Sequence, residues 1–367
     1  MDQGITYVGL DVSKRTISIA VLWPGRKAPE ERTIPNEPRA VARWAKKLQR
    51  EAPGPVVCAY EAGPTGYALQ RQLRGLGLDC RVIAPSLIPR KPGERVKTDR
   101  RDARKLAELL AGGLLTEVHP PSPEDEAVRD LSRAREDAKQ DHTRARHRLS
   151  KFLLRHGLTF GRGRKAWTQA HAKWLRGLPF EHAAQQAVFD DYCLAIDQLE
   201  ERLRALDAKL AGWAKTEPYA TPVAYLRCFR GFDTVTALGL VAELHDFRRF
   251  RRARQLMAYL GMVPSEDSSG ERTRRGAITK AGNSHARRLL IEAAWHYRHR
   301  PWVGPELRRR REGQPARVIA IADRAQRRLY GRRQRLTERG KAPNKITVAL
   351  ARELAGFLWA VLAVDAA

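Results

Sequence analysis

The chain reads as an α/β domain followed by an all-α remainder, in which central coiled-coil helices precede a mostly helical C-terminal domain. Three observations predict this. Two β-branched apolar runs, Ile5 to Asp11 and Thr16 to Leu22, flank the short stretch Val12 to Arg15, which is the pattern of a hairpin. A helix-period segment (Pro35 to Arg50), a short apolar strand (Pro55 to Tyr60), a second helix (Thr65 to Leu76) and another strand (Asp79 to Ala84) then alternate as in a βαβ unit. Beyond Pro120 to Pro123 the strand signal gives way to long runs of three-four apolar spacing.

Length and charge set outer limits. The 367 residues exceed one ordinary core, since a domain takes roughly 100–200 residues. Boundaries are expected at the proline clusters, giving units 1–120, 121–216 and 217–367. Lys and Arg (69) outnumber Asp and Glu (41), and the net charge of +28 favours a polyanionic partner. An anionic membrane competes, but the longest apolar stretch, Val348 to Val364, is interrupted by Arg352 and Glu353. A soluble protein with no membrane partner is expected. No basic n-region and apolar h-region opens the chain, so a cytoplasmic location is expected. Cys58, Cys80, Cys193 and Cys228 lack C-x-x-C spacing and read as reduced thiols rather than a zinc site or a disulfide framework.

Acids gather at the ends of elements. Asp11 closes the first strand, and Glu61 stands at the carboxyl end of its own. Asp99 and Asp102 open the apolar-periodic run Leu106, Leu109, Leu110 and share one helix face. Their repulsion must be offset by a cation, a shared proton or the neighbouring Lys97, Arg100 and Arg101. Spacing alone leaves a metal site and ordinary capping or solvated acids both open.

In the middle of the chain, Val128, Leu131, Ala138, Ala145, Leu149 and Phe152 keep a heptad frame that Arg135 and His142 spoil. Phe189, Tyr192, Ile196, Leu199, Leu203, Leu206, Leu210 and Trp213 keep it without a gap, as an oligomerisation seam or an antiparallel hairpin would. Between them Arg162, Arg164, Lys165, Trp167, Lys173 and Trp174 interleave cations with aromatics. That suits backbone-plus-stacking contact with nucleic acid, or two tryptophans packed under a loop.

Gly231 to Ala237 joins two helical segments in the manner of a helix-turn-helix or helix-hairpin-helix. The polar stretch Gly261 to Gly270 reads as a loop whose hydroxyls sit before Arg272, Arg274, Arg275, Lys280, Arg287 and Arg288. Pro301 to Lys345 is dense in arginine of one sign, which favours phosphate neutralisation, and Ile346 to Leu362 reads as a core helix.

Tyr7-Val8-Gly9-Leu10-Asp11-Val12-Ser13-Lys14, Tyr60-Glu61-Ala62-Gly63 and Lys97-Thr98-Asp99-Arg100-Arg101-Asp102-Ala103 resemble the three blocks of the RuvC-like domain in DEDD insertion-sequence transposases. This is the insertion-sequence-110 family, also called bridge-RNA-guided recombinases. The resemblance covers nearly the whole chain and departs at Gly63-Pro64-Thr65-Gly66, where a shorter turn is expected. It implies an RNase H/RuvC-like domain holding Mg²⁺ (or Mn²⁺) through Asp11, Glu61, Asp99 and Asp102. It further implies a C-terminal transposase domain with Ser269 as nucleophile, Ser268 being its rival, and a covalent phosphoserine intermediate. Lys97, Arg100 and Arg101 would hold the scissile phosphate, and Arg274, Arg275 and Lys280 would stabilise its charge. The partners implied are donor and target DNA, a guide (bridge) RNA and further copies of the chain in a dimer or tetramer, near the nucleoid. The competing functions are a hydrolytic junction-resolving nuclease and a non-catalytic nucleic-acid-binding protein. An actin-like ATP-using fold lacks support, because Asp11 to Lys14 has no glycine to cradle phosphate.

Overall fold

The computed structural model describes residues 4–89, 98–161, 163–269, 272 and 274–363, so Lys97 and Arg162 lie outside the described residues. Two compact units emerge, Met1–Pro121 and Ser122–Ala367, and the segments expected as 121–216 and 217–367 share the second.

In the first unit, β1 (Thr6–Val12) and β2 (Thr16–Leu22) form the expected antiparallel hairpin, with Asp11 opposite Ser18. β3 (Glu30–Pro35) pairs with β2 and was not foreseen, because EERTIP has a single large apolar residue and faces solvent. α1 (Pro38–Glu51) leads to β4 (Val56–Glu61), which runs parallel to β1. α2 (Ala68–Gly75) begins three residues later than expected, since Gly63 to Gly66 forms a turn whose last carbonyl accepts from Tyr60 Oη at 2.9 Å. β5 (Asp79–Ile83) is parallel to β4, α3 (Asp99–Ala111) follows, and β6 (Glu117–Val118) closes the sheet in the order β3-β2-β1-β4-β5-β6.

The two-residue alternation of a strand sorts β1 between two layers. Val8 and Leu10 pack with Val41, Trp44 and Leu48 of α1 and Leu73 of α2. Tyr7 faces the other way, with Val57, Ala59, Ile83 and Leu110 of α3. Gly9 and Asp11 share the Tyr7 face by spacing, so they belong to the α3 side.

In the second unit, α4 (Pro123–Arg155), α5 (Gln169–Arg176) and α6 (Ala183–Trp213) come first. α4 and α6 are antiparallel: Arg135 meets Asp207 at 2.8 Å, Arg146 meets Glu200 at 2.7 Å, and Phe152 meets Tyr192 at 5.7 Å between centroids. The heptad seam is therefore taken up within one chain. Arg135 and His142, which spoil the repeat on paper, are polar pins across it, His142 reaching Glu200 at 3.2 Å.

The remainder comprises α7 (Ala220–Arg227), α8 (Thr234–Leu244), α9 (Ala253–Tyr259), a hairpin of β7 (Pro264–Glu266) and β8 (Arg275–Ile278), α10 (Ser284–Ala294), α11 (Pro305–Arg311), α12 (Ala316–Glu338) and α13 (Pro343–Leu362). Their apolar faces form one core that also takes Val128 of α4 and Leu210 of α6. α8 is buried from Ala237 to Leu244, which denies it to a DNA groove. Its N-terminus is capped by Asp233, whose Oδ1 accepts from Thr236 N at 2.7 Å, so an anion there would meet a carboxylate. The turn is a helix connection. Among the described residues no helix is long and apolar enough to cross a membrane.

Candidate active site

The acid edge is built by one close approach. A Cβ on Gly9 would lie 2.0 Å from the Ala103 carbonyl oxygen and 2.5 Å from the Ala107 nitrogen, so only glycine lets α3 rest on β1. Two residues further along the same face comes Asp11, and on α3 Asp102 immediately precedes Ala103 while Asp99 lies one turn before it. Parallel pairing of Leu10 with Tyr60 sets Glu61 beside Asp11 at the carboxyl end of the neighbouring strand. The Arg104 guanidinium anchors α3 from its far side to Glu31 of β3 at 2.7 Å. The Thr98 side chain caps α3 by accepting from Arg101 N at 3.4 Å, and first-turn acids suit the positive end of the helix.

Asp11 and Asp102 are half-buried and engaged with neighbouring groups, whereas Glu61 and Asp99 are exposed. All four donors are carboxylate oxygens, the ligand type that hard divalent cations take. Among the described residues, however, no three acid, histidine or cysteine side chains stand close enough to hold a metal ion. The set fits a divalent cation by donor chemistry and by position along the sheet, and it is not gathered into a ready cage.

Ser269 lies near the tip of the β7–β8 hairpin, in a stretch expected to be a loop. Its backbone exchanges hydrogen bonds with Arg272 at 3.2 and 3.1 Å, and Asp267 N donates to Arg274 O at 2.9 Å, so the ladder extends past the strand ends. The side chain is exposed. Ser268 Oγ donates to Glu266 Oε1 at 3.1 Å, and Arg275 Nε reaches Glu266 Oε2 at 3.4 Å.

The base of the hairpin is fixed by interlocking turns. Gly261 takes φ +62, and a Cβ there would sit 2.1 Å from Ala281 O. Arg287 donates to Leu260 O at 2.9 Å and Ala281 O at 3.3 Å. Asn283 caps α10 through Ala286 N at 2.9 Å and donates to the Glu243 carboxylate at 2.7 Å. Arg133 holds the same carboxylate with two hydrogen bonds, at 2.7 and 3.0 Å. Burial pushes the Glu243 carboxyl up, but Arg133 and Asn283 outweigh it and hold it below its ordinary value.

The expected nucleic-acid cations divide sharply. Arg100, Arg101, Arg164, Lys165, Lys173, Arg274, Arg275 and Lys280 are exposed. Arg287 serves internal carbonyls, and Arg288 pairs with Glu136 at 2.9 Å and Glu292 at 2.7 Å. Within the arginine-dense segment, Arg311 is buried against Cys228 O (3.0 Å) and Asp323 (2.7 Å). Trp167 and Trp174 stack with His171, ring centroids 5.0 and 5.4 Å away, in the cluster at the tip of the helical hairpin. A cavity of about 560 Å³ lined by Asp125, Tyr219, His245, Phe247 and Arg317 contains none of the expected site residues.

A transposase family model of the DEDD type matches residues 8–157, and a second, described as transposase IS116/IS110/IS902 family, matches 223–308. The chain is 42% identical to "Putative transposase y4qE" of Sinorhizobium fredii over 97% of this chain and 88% of that protein. It is 39% identical to the transposase for insertion sequence element IS1533 of Leptospira borgpetersenii, over 91% of this chain and 97% of that one. The chain belongs to the IS110 family of insertion-sequence transposases. Such transposases cleave and recombine DNA, so DNA is the substrate, and the DEDD type typically uses a divalent metal. The N-terminal sheet with α3 across it is consistent with a DEDD nuclease-like domain. The four acids fall within the first matched span and Ser269 within the second. Glu266 and Glu243, which organise the transposase hairpin and its base, escaped the sequence reading because an isolated acid carries no periodic signal.

Proposed function

We propose that this IS110-family transposase cuts and rejoins DNA through a phosphoserine intermediate formed by Ser269, assisted by Mg²⁺ or Mn²⁺ at Asp11, Glu61, Asp99 and Asp102. What supports the metal half of this reading is the Gly9–Ala103 approach, which seats α3 on the face of β1 that bears Asp11, beside the β4 end that bears Glu61. The sheet would then be an RNase H/RuvC-like catalytic domain. A bound cation would supply charge stabilisation at the phosphoryl oxygens.

The chain's own part follows from its side chains. Ser269 gives up its hydroxyl proton, its Oγ–P bond forms, and the P–O bond to one strand end breaks, that end leaving as a hydroxyl. Rejoining reverses this with the hydroxyl of another strand. Arg274, Arg275 and Lys280, on the same hairpin and the turn after it, are exposed to take the charge of the pentacovalent phosphorus. Ser268 is a second candidate, because its hydroxyl already donates to a carboxylate, Glu266, that would accept its proton.

The +28 charge supports a polyanionic partner beyond the cut DNA, and we assign it to a guide (bridge) RNA that pairs with donor and target. Two separate apolar side chains of α6, Leu194 at 55% and Trp213 at 44% exposed, leave room for contact in a homo-oligomer. Cytoplasmic, nucleoid-associated action follows from these partners.

One experiment tests the core of the reading: trapping protein–DNA adducts formed by the full chain with its RNA and mapping the modified residue. Ser269→Ala should abolish the adduct, and Asp102→Asn should slow strand cleavage by about two orders of magnitude or more. Full strand cleavage by Ser269→Ala would leave a hydrolytic nuclease, and an adduct mapped to Ser268 would move the nucleophile by one residue.

A further inference from the structure

The loop between α10 and α11 displays the most exposed large apolar side chain among the described residues, Trp302, at 66%. An indole left in water forfeits burial that would otherwise stabilise the fold. The loop that forfeits it is held firmly. Arg230 donates to His299 O at 3.1 Å, Arg300 O at 2.9 Å and Trp302 O at 3.4 Å. The Trp302 backbone N–H donates to the buried Gln326 Oε1 at 3.2 Å. The six-membered edge of the indole lies against Gly304, where a Cβ would approach Cζ3 to 2.6 Å. The ring is thus supported on backbone along that edge and open elsewhere.

The charge around it is mostly positive, the one acid at the start of α11, Glu306, being paired with Arg309. Arg298 and Arg300 are exposed just before Trp302, Arg298 bonded to His299 at 3.1 Å, and Arg308 is exposed in the last turn of α11. A fixed, exposed aromatic among cations is the arrangement on which unpaired bases stack while neighbouring phosphates are neutralised. Trp167 and Trp174, the aromatics that the sequence pattern favours for this role, spend their faces on an internal cluster.

We propose that Trp302 is a stacking platform for an unpaired nucleobase of the DNA or RNA partner, with Arg298 and Arg300 on the adjoining phosphates. This deepens the transposase reading and rests on it, because exchanging strands passes through bases that have lost their pairs. A base inside a duplex offers no free face and would not use the ring.

The test measures binding of the full chain to labelled oligonucleotides of roughly sixteen nucleotides, single-stranded DNA, single-stranded RNA and the matching duplex, by anisotropy across a salt series. Trp302→Ala should weaken single-strand binding about tenfold, while duplex affinity changes less than about twofold. The slope of affinity against salt should stay the same, because no phosphate contact is removed. Trp302→Phe should restore most of the loss. Equal single-strand affinity for Trp302→Ala and the parent protein would overturn the proposal alone, and so would an equal loss on duplex and single strand. Kept oligonucleotide binding with lost binding to anionic phospholipid vesicles would assign the ring to a membrane surface instead. A parent protein that binds no oligonucleotide at all would overturn the proposed guide-RNA and strand-exchange mechanism together with the proposal.

Discussion

The acid edge and the serine hairpin carry the two halves of the proposed chemistry, and they are built in opposite ways. The acids owe their place to backbone packed on backbone, with Gly9 beneath Ala103 and Ala107, both fully buried. Ser269 stands in solvent on a two-stranded ladder, and what fixes it lies at the far end of the hairpin, where Gly261, Arg287 and Asn283 interlock. The first site is vulnerable to any added atom. The second tolerates changes at its tip and depends on polar partners at its root.

The largest effect should therefore come from Gly9→Val, whose side chain has no room beneath α3. It should cost about 3 kcal/mol or more, read as loss of the cooperative melting transition or of soluble protein. Retained stability would show that α3 can lift without harm and would undo the contrast.

Next comes Glu243→Ala at the root of the hairpin, which removes the buried carboxylate that Arg133 and Asn283 share. A loss of about 2 kcal/mol is expected from denaturant unfolding. Because the folded carboxyl sits below its ordinary value, its contribution is present above about pH 4.3 and is lost as pH falls through the folded value.

A smaller change is expected on mild acidification. Burial lowers the pKa of His142, His171, His245, His285 and His296, all in the second unit. The unfolded chain takes up protons first, so stability present above about pH 6.5 should be lost as pH falls below it. Thermal midpoints between about pH 7.5 and pH 5.5 check this, a flat profile being the contrary outcome. Smallest of all is the effect of Ser269→Ala on stability, within about 0.5 kcal/mol, even as the covalent adduct disappears.

The same contrast explains what could be read from the sequence. Asp11 and Glu61 stand where an apolar period ends, and Asp99 and Asp102 where one begins, so their place in the fold follows from pattern. β3 escaped because its residues alternate charge with little apolar content at a solvent-facing edge. β7 and β8 escaped because a polar Ser- and Gly-containing stretch reads as a loop, and its pairing depends on Arg272 and Arg274 coming back across it. The direction of an arginine is invisible in sequence: Arg274 and Arg287 look alike on paper, yet one is exposed and the other holds two carbonyls. Trp302 belongs to no repeat, and only its backbone partners reveal that it is held outward.

The α4–α6 hairpin also sets a length. Its base joins the helical core through Val128 and Leu210, while its tip holds a small aromatic core of its own. A helix of 33 residues such as α4 spans roughly 50 Å at 1.5 Å per residue. That is about fifteen base-pair steps of duplex, or nearly a turn and a half. On the proposed function, cations at the tip and cations at the base would be marks on a ruler, addressing positions on a polynucleotide set apart by the helix rather than by sequence.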